Sequence, residues 1–89
     1  MIRGFNYSSR FRSSFKKLDK DTRLEIVEEL KNFALDPFQP HYRVHKLKED
    51  LAGWLSLTIY PDLLIVFRFT KKDNTEILLH NIGGHEIYK

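Results

Sequence analysis

With 89 residues and an apolar fraction of 42%, the chain can fill one small hydrophobic core, and seven Phe, four Tyr and one Trp supply much of its bulk. The absence of cysteine excludes disulfides and thiolate metal sites. No stretch approaches the roughly 18–20 apolar residues of a membrane span, and residues 1–6 lack a secretion signal, so one soluble, cytoplasmic domain over 1–89 is expected.

Net charge is only +3, but it is segregated along the chain. Arg3, Arg10, Arg12, Lys16 and Lys17 precede any acid, whereas Asp19, Asp21, Glu25, Glu28, Glu29 and Asp36 follow together. Such a division suits a phosphate-bearing or acidic partner, although a solvated mixed surface would look the same.

In chain order, residues 2–7 read as a short strand. Ser8 or Ser9 is an N-cap for a helix reaching about residue 18, with Phe11, Phe15 and Leu18 on its apolar face and Arg10, Arg12, Lys16 and Lys17 opposite. Asp19–Thr22 offers capping chemistry for a second helix to about residue 35, whose apolar stripe is Ile26, Val27, Leu30, Phe33 and Ala34. Asp36-Pro37 ends it, because the residue before proline avoids helical geometry.

Four strands follow. Residues 42–47 form a short one with Val44 and Tyr42 inward. Residues 54–60 alternate, Leu55, Leu57 and Ile59 on one face and Trp54, Ser56, Thr58 and Tyr60 on the other. After a Pro61-Asp62 turn, residues 63–70 are apolar on both faces, as a central strand requires. Lys71–Asn74 make a second turn, and residues 75–82 form the last strand before Gly83-Gly84. The order β-α-α-β-β-β(-β) indicates an α+β domain, two helices packed on a mostly antiparallel sheet of four or five strands.

Ionisable groups collect late in the chain. His45, Asp62, His85 and Tyr88, with Arg43, Lys46, Lys48 and Arg68, are residue types that move protons and hold phosphate without a metal, a combination suited to RNA cleavage. There a base removes the 2′-hydroxyl proton, an acid protonates the leaving 5′-oxygen, and cations stabilise the phosphoryl oxygens. Histidine serves either proton role because its ordinary pKa of about 6.5 lies near working pH.

Each of these residues also has a plainer reading. His85 is a surface residue after a strand, His45 an edge-strand histidine, Asp62 a turn residue and Tyr88 a docking aromatic. Arg68 is a paired structural residue, Trp54 a core residue and His80 a satisfied sheet residue. His41-x-x-x-His45 has helical metal-ligand spacing, but Pro40 and the extended segment spoil the geometry, so no metal and no cofactor are expected.

The segments His45-x-Leu47-x-x-x-Leu51-x-Gly53-Trp54, then Ile59-x-Pro61-Asp62-Leu63-Leu64-Ile65-Val66, then Ile82-Gly83-Gly84-His85-x-x-Tyr88, following a two-helix segment, resemble the RelE/ParE superfamily of bacterial toxin–antitoxin toxins, most closely its YafQ-type branch. The resemblance implies a ribosome-dependent mRNA endonuclease neutralised by a cognate antitoxin. His45, Asp62 and His85 match the branch's site directly, and Tyr88 matches a tyrosine used by some RelE-type toxins. Arg10 and Arg12 would then meet ribosomal RNA, while Arg43, Lys46, Lys48 and Arg68 would meet phosphates. The chain departs from the branch at Thr58, Leu63 and Asn81, where a second histidine, a tryptophan and an arginine are usual. A ParE-like, non-catalytic inhibitor of gyrase and an inactive antitoxin-binding relative are the alternatives.

Overall fold

The structure, a computed structural model, describes residues 1–88 apart from the side chain of Tyr88. Strand β1 (Gly4–Tyr7) leads into α1 (Ser9–Lys16) and α2 (Lys20–Leu35), followed by β2 (His45–Lys46), β3 (Leu55–Tyr60), β4 (Leu63–Phe69) and β5 (Glu76–Gly83). They build one five-stranded sheet in the order β1-β5-β4-β3-β2. β1 runs parallel to β5, and every other pairing is antiparallel. The expected α+β architecture holds.

Local chemistry sets the helix boundaries. Ser8 caps α1, its Oγ accepting the Phe11 N–H at 3.0 Å, and the same hydroxyl donates to the His80 carbonyl at 2.6 Å, tying the helix start to β5. Asp19 caps α2 by accepting from the Thr22 hydroxyl and N–H, and these bonds hold its carboxyl below the usual carboxylate range. α2 stops at Leu35, with Asp36 extended before Pro37.

The helices cover one face of the sheet. Phe11, Ile26, Leu30 and Phe33 pack onto Leu57, Ile65, Phe67, Ile77 and Leu79. Phe33 lies at the centre, its ring edge-on to Tyr42 at 5.2 Å and to Phe67 at 5.3 Å. Tyr42 is buried as expected and donates its hydroxyl to the Glu29 carbonyl at 3.3 Å. Burial, reinforced by Glu29, pushes its pKa up to about 12, so the ring stays neutral.

Three expectations need correction. Residues 42–47 contain only a two-residue strand, because Pro40–Tyr42 forms a 3-10 turn and Arg43 adopts a left-handed backbone at φ 47°. The first helix ends at Lys16 rather than near residue 18. Val27 is 42% exposed, since only the Ile26–Leu30–Phe33 side of α2 meets the sheet.

Candidate functional site

β5 ends at Gly83, and the chain folds back through a 3-10 turn, His85–Tyr88. Close approach requires Gly83, whereas a side chain at Gly84 would meet chiefly the flexible end of Glu86. A Cβ at Gly83 would stand 2.6 Å from Cγ2 of Ile87, and one at Gly84 would stand 3.3 Å from the Glu86 carboxyl carbon and 3.4 Å from the Asp62 carbonyl. The turn is fastened by two bonds: Glu86 Oε1 accepts the Gly84 N–H at 3.0 Å, and the Ile87 N–H donates to the Gly84 carbonyl at 3.1 Å. His85 is thereby set, exposed, beside the Pro61–Asp62 turn that joins β3 to β4. The backbone at Gly84, one residue before His85, thus lies against the Asp62 carbonyl. The ring of Tyr88 lies outside the described residues.

His45 stands elsewhere on the sheet. On edge strand β2 it pairs with Ser56, which continues the row through Val66 to Asn81. Three strand spacings separate β2 from β5, roughly 14 Å. Since directly paired residues share a face, His45 points with Ser56 away from the helices. Its Nδ1 lies 3.0 Å from the Arg43 carbonyl, an acceptor that suits a proton on Nδ1. The left-handed turn at Arg43 aims that carbonyl. Arg43, Lys46 and Lys48, its neighbours in the chain, are exposed, and so are Arg10 and Arg12 on α1.

A second cluster, which sequence reasoning did not assign, lies on the sheet. Trp54 precedes β3 and His80 belongs to β5, yet their rings stack with centroids 4.5 Å apart at 29°, so the pair bridges the intervening strand β4. The Arg68 guanidinium of β4 lies 4.7 Å over the Trp54 ring. Arg68 is exposed and stacked rather than half-buried and ion-paired. Burial, then the charges of Arg10 and Arg68, lower the His80 pKa from its ordinary value. His80 reaches this position through a β-bulge: Val66 pairs with Asn81 and Phe67 with Leu79, leaving His80 as the extra residue. The only sequence signal was an interruption of the alternation between Leu79 and Ile82.

Neither a family model nor a curated protein matches the sequence. Solved structures do match along the whole chain. YafQ from E. coli superposes with a TM-score of 0.75 at 18% identity, covering 96% of both chains. The same toxin in the DinJ–YafQ toxin–antitoxin complex gives 0.73 at 18% identity, covering 98% of this chain and 97% of that one. The chain has the fold of the RelE/ParE toxin superfamily. A metal-bound toxin from Helicobacter pylori superposes on this RelE-like chain at 0.70 with 26% identity, covering 98% of each. A YoeB/ParE toxin from Agrobacterium tumefaciens gives 0.72 at 18% identity, covering 96% of this chain and 99% of its own.

The three departures from the YafQ-type pattern have structural roles here. Thr58 is half-buried on β3, Leu63 sits in the core, and Asn81 Oδ1 accepts from the Ser14 hydroxyl at 2.8 Å and the Ile82 N–H at 2.9 Å. Among the described residues no three His, Asp or Glu side chains are grouped to hold a metal ion. His41, one half of the helically spaced pair, packs against Tyr42 with ring centroids 4.1 Å apart and planes tilted by 42°.

Proposed function

We propose that this chain is the toxin of a type II toxin–antitoxin module, a metal-independent endoribonuclease that cuts mRNA in the ribosome by attack of a 2′-hydroxyl on the adjacent phosphorus. The observation that carries this reading is His85, held in a glycine-built turn against the Asp62 turn. In this reading the side chains of His85 and His45 reach one phosphate across β3 and β4 and share the proton transfers, Asp62 orients or accepts a proton, and Tyr88 contacts the substrate. The contact of His45 Nδ1 with the Arg43 carbonyl supports a base role, in which Nε2 takes the 2′-hydroxyl proton. Arg43, Lys46, Lys48 and Arg68 hold phosphates, and Arg10 and Arg12 meet ribosomal RNA. The protein works in the cytoplasm as a single toxin domain over 1–89. Its helices include none long and apolar enough to cross a membrane among the described residues.

The partner is a cognate antitoxin, as DinJ is for YafQ. An apolar groove between β1, α1 and α2, lined by Tyr7, Phe11, Phe15, Val27 and Leu30 with Arg12 at its rim, suits an amphipathic acidic segment of such a partner.

A ribosome-programmed translation reaction tests the reading. The protein should cleave mRNA only when ribosomes are present, and His85→Ala should slow cleavage by about 10²- to 10⁴-fold. Leu63 in the core and Asn81 tied to Ser14 favour a second reading, a ParE-like toxin or a relative that only binds antitoxin. Gyrase inhibition that survives His85→Ala would establish the ParE-like form. Inertness in both assays would leave antitoxin binding alone.

A further inference from the structure

Arg10, Arg68 and His80 come from α1, β4 and β5, and Trp54 immediately precedes β3. Four features of this cluster need a common explanation. The bulge at His80 interrupts the β4–β5 ladder at one place and aims an imidazole across β4 onto Trp54. The Arg68 guanidinium lies over the same indole, 4.7 Å from its centroid, and a guanidinium carries a fork of N–H donors that matches phosphate. Arg10 approaches closely enough for its charge to act on the His80 ring. Lys46 adds a further cation, lining with Trp54, Arg68 and Gly53 one open depression at the β2–β3 edge.

The ion pairs among the described residues are Lys31–Glu28 and Lys71–Glu76, and neither draws on Arg10, Lys46 or Arg68. With no ion pair to them among the described residues, these three exposed cations surround the stacked aromatic pair with positive charge that attracts an anion. A carboxylate would use only the cations. A nucleotide would use the rings as well, since aromatic and guanidinium planes bind bases and sugars beside a phosphate.

We propose that Arg10, Lys46, Trp54, Arg68 and His80 form a second single-stranded RNA contact, separate from the His85 turn. In it the Arg68 fork holds a backbone phosphate and the Trp54–His80 pair packs against the attached nucleoside. The site extends the substrate path of the function proposed above and rests on that reading. Its role is to hold a strand in register, not to move protons.

Trp54 is the only tryptophan of the chain, so its fluorescence reports this site alone. The probe is a 2′-O-methylated octanucleotide, which lacks the attacking hydroxyl and cannot be cut, titrated into the full chain. It should change Trp54 emission, and Arg68→Gln and Arg10→Gln should each weaken binding several-fold and lower the logarithmic salt slope by about 1. His80→Ala should weaken binding while leaving that slope unchanged, and circular dichroism confirms that each variant folds. Lys31→Gln, on α2 where Lys31 pairs with Glu28, should bind like wild type.

Binding unaffected by Arg68→Gln and His80→Ala would overturn the contact. So would a glutamate-rich peptide that binds this site more tightly than the octanucleotide, because the cluster would then belong to an acidic protein partner. The two proposals fail separately. Octanucleotide binding without ribosome-dependent cleavage retains this contact and removes the nuclease, whereas cleavage with unaltered binding in the variants does the reverse.

Discussion

Gly83→Ala is the sharpest perturbation of the His85 turn. The new Cβ would lie 2.6 Å from Ile87 Cγ2, against an ordinary carbon–carbon contact of about 3.5 Å, so Ile87 must retreat by about 1 Å. That atom is not the free end of a flexible chain. It is a branch at the β-carbon, where χ1 is stiff, so the retreat is carried into the backbone of the 3-10 turn and hence to His85. Overpacking of this kind destabilises by about 1–3 kcal/mol. A 1 Å displacement of a reacting group lowers turnover by up to about 10²-fold. Ribosome-dependent mRNA cleavage and thermal melting, measured together, separate the two effects: Gly83→Ala should lose activity far beyond what its melting temperature explains. Trimming the obstacle in Gly83→Ala/Ile87→Ala should restore part of the activity. A Gly83→Ala protein that melts and cleaves like wild type would show that the glycine does not position the histidine.

Two predictions concern the frame. Phe33→Ala removes the ring wedged between Tyr42 and Phe67 and should destabilise by about 3–5 kcal/mol, a large share of the roughly 4–13 kcal/mol typical of a domain this size. Its melting temperature should fall by at least about 12 °C, and a fall below about 5 °C would contradict the core assignment. His80 gives stability a pH dependence. Its folded-state pKa is lowered, so the unfolded chain takes the proton first; the contribution is complete above about pH 6.5 and is lost as pH falls from there through the folded value. Urea unfolding at pH 7.5 and 5.5 should therefore show a smaller loss for His80→Gln than for wild type, and identical losses would refute it.

Periodicity made the frame legible. The i, i+4 spacing of Phe11 and Phe15, the caps at Ser8 and Asp19, and the alternation of Leu55, Leu57 and Ile59 follow from local backbone geometry, which is why their elements were placed within a residue or two. The strand expected over 42–47 shrank because nothing local announces the left-handed turn at Arg43. Val27 was assigned inward because a helical stripe shows which residues cluster, not how wide the contacting face is.

The site divides along the same line. The Gly83-Gly84-His85 motif is contiguous, so its sharp turn was readable from residue types alone. That Asp62 lies beneath it, and that β2 leaves His45 three strands away, depend on strand order, which no local pattern specifies. The Trp54–His80 stack was the least legible. It joins residues 26 positions apart through one unpaired bulge residue, and a bulge reverses which side chains share a face. Residue chemistry and period settled what the elements are; the hydrogen-bonded register between strands distant in the chain decided which of their side chains meet.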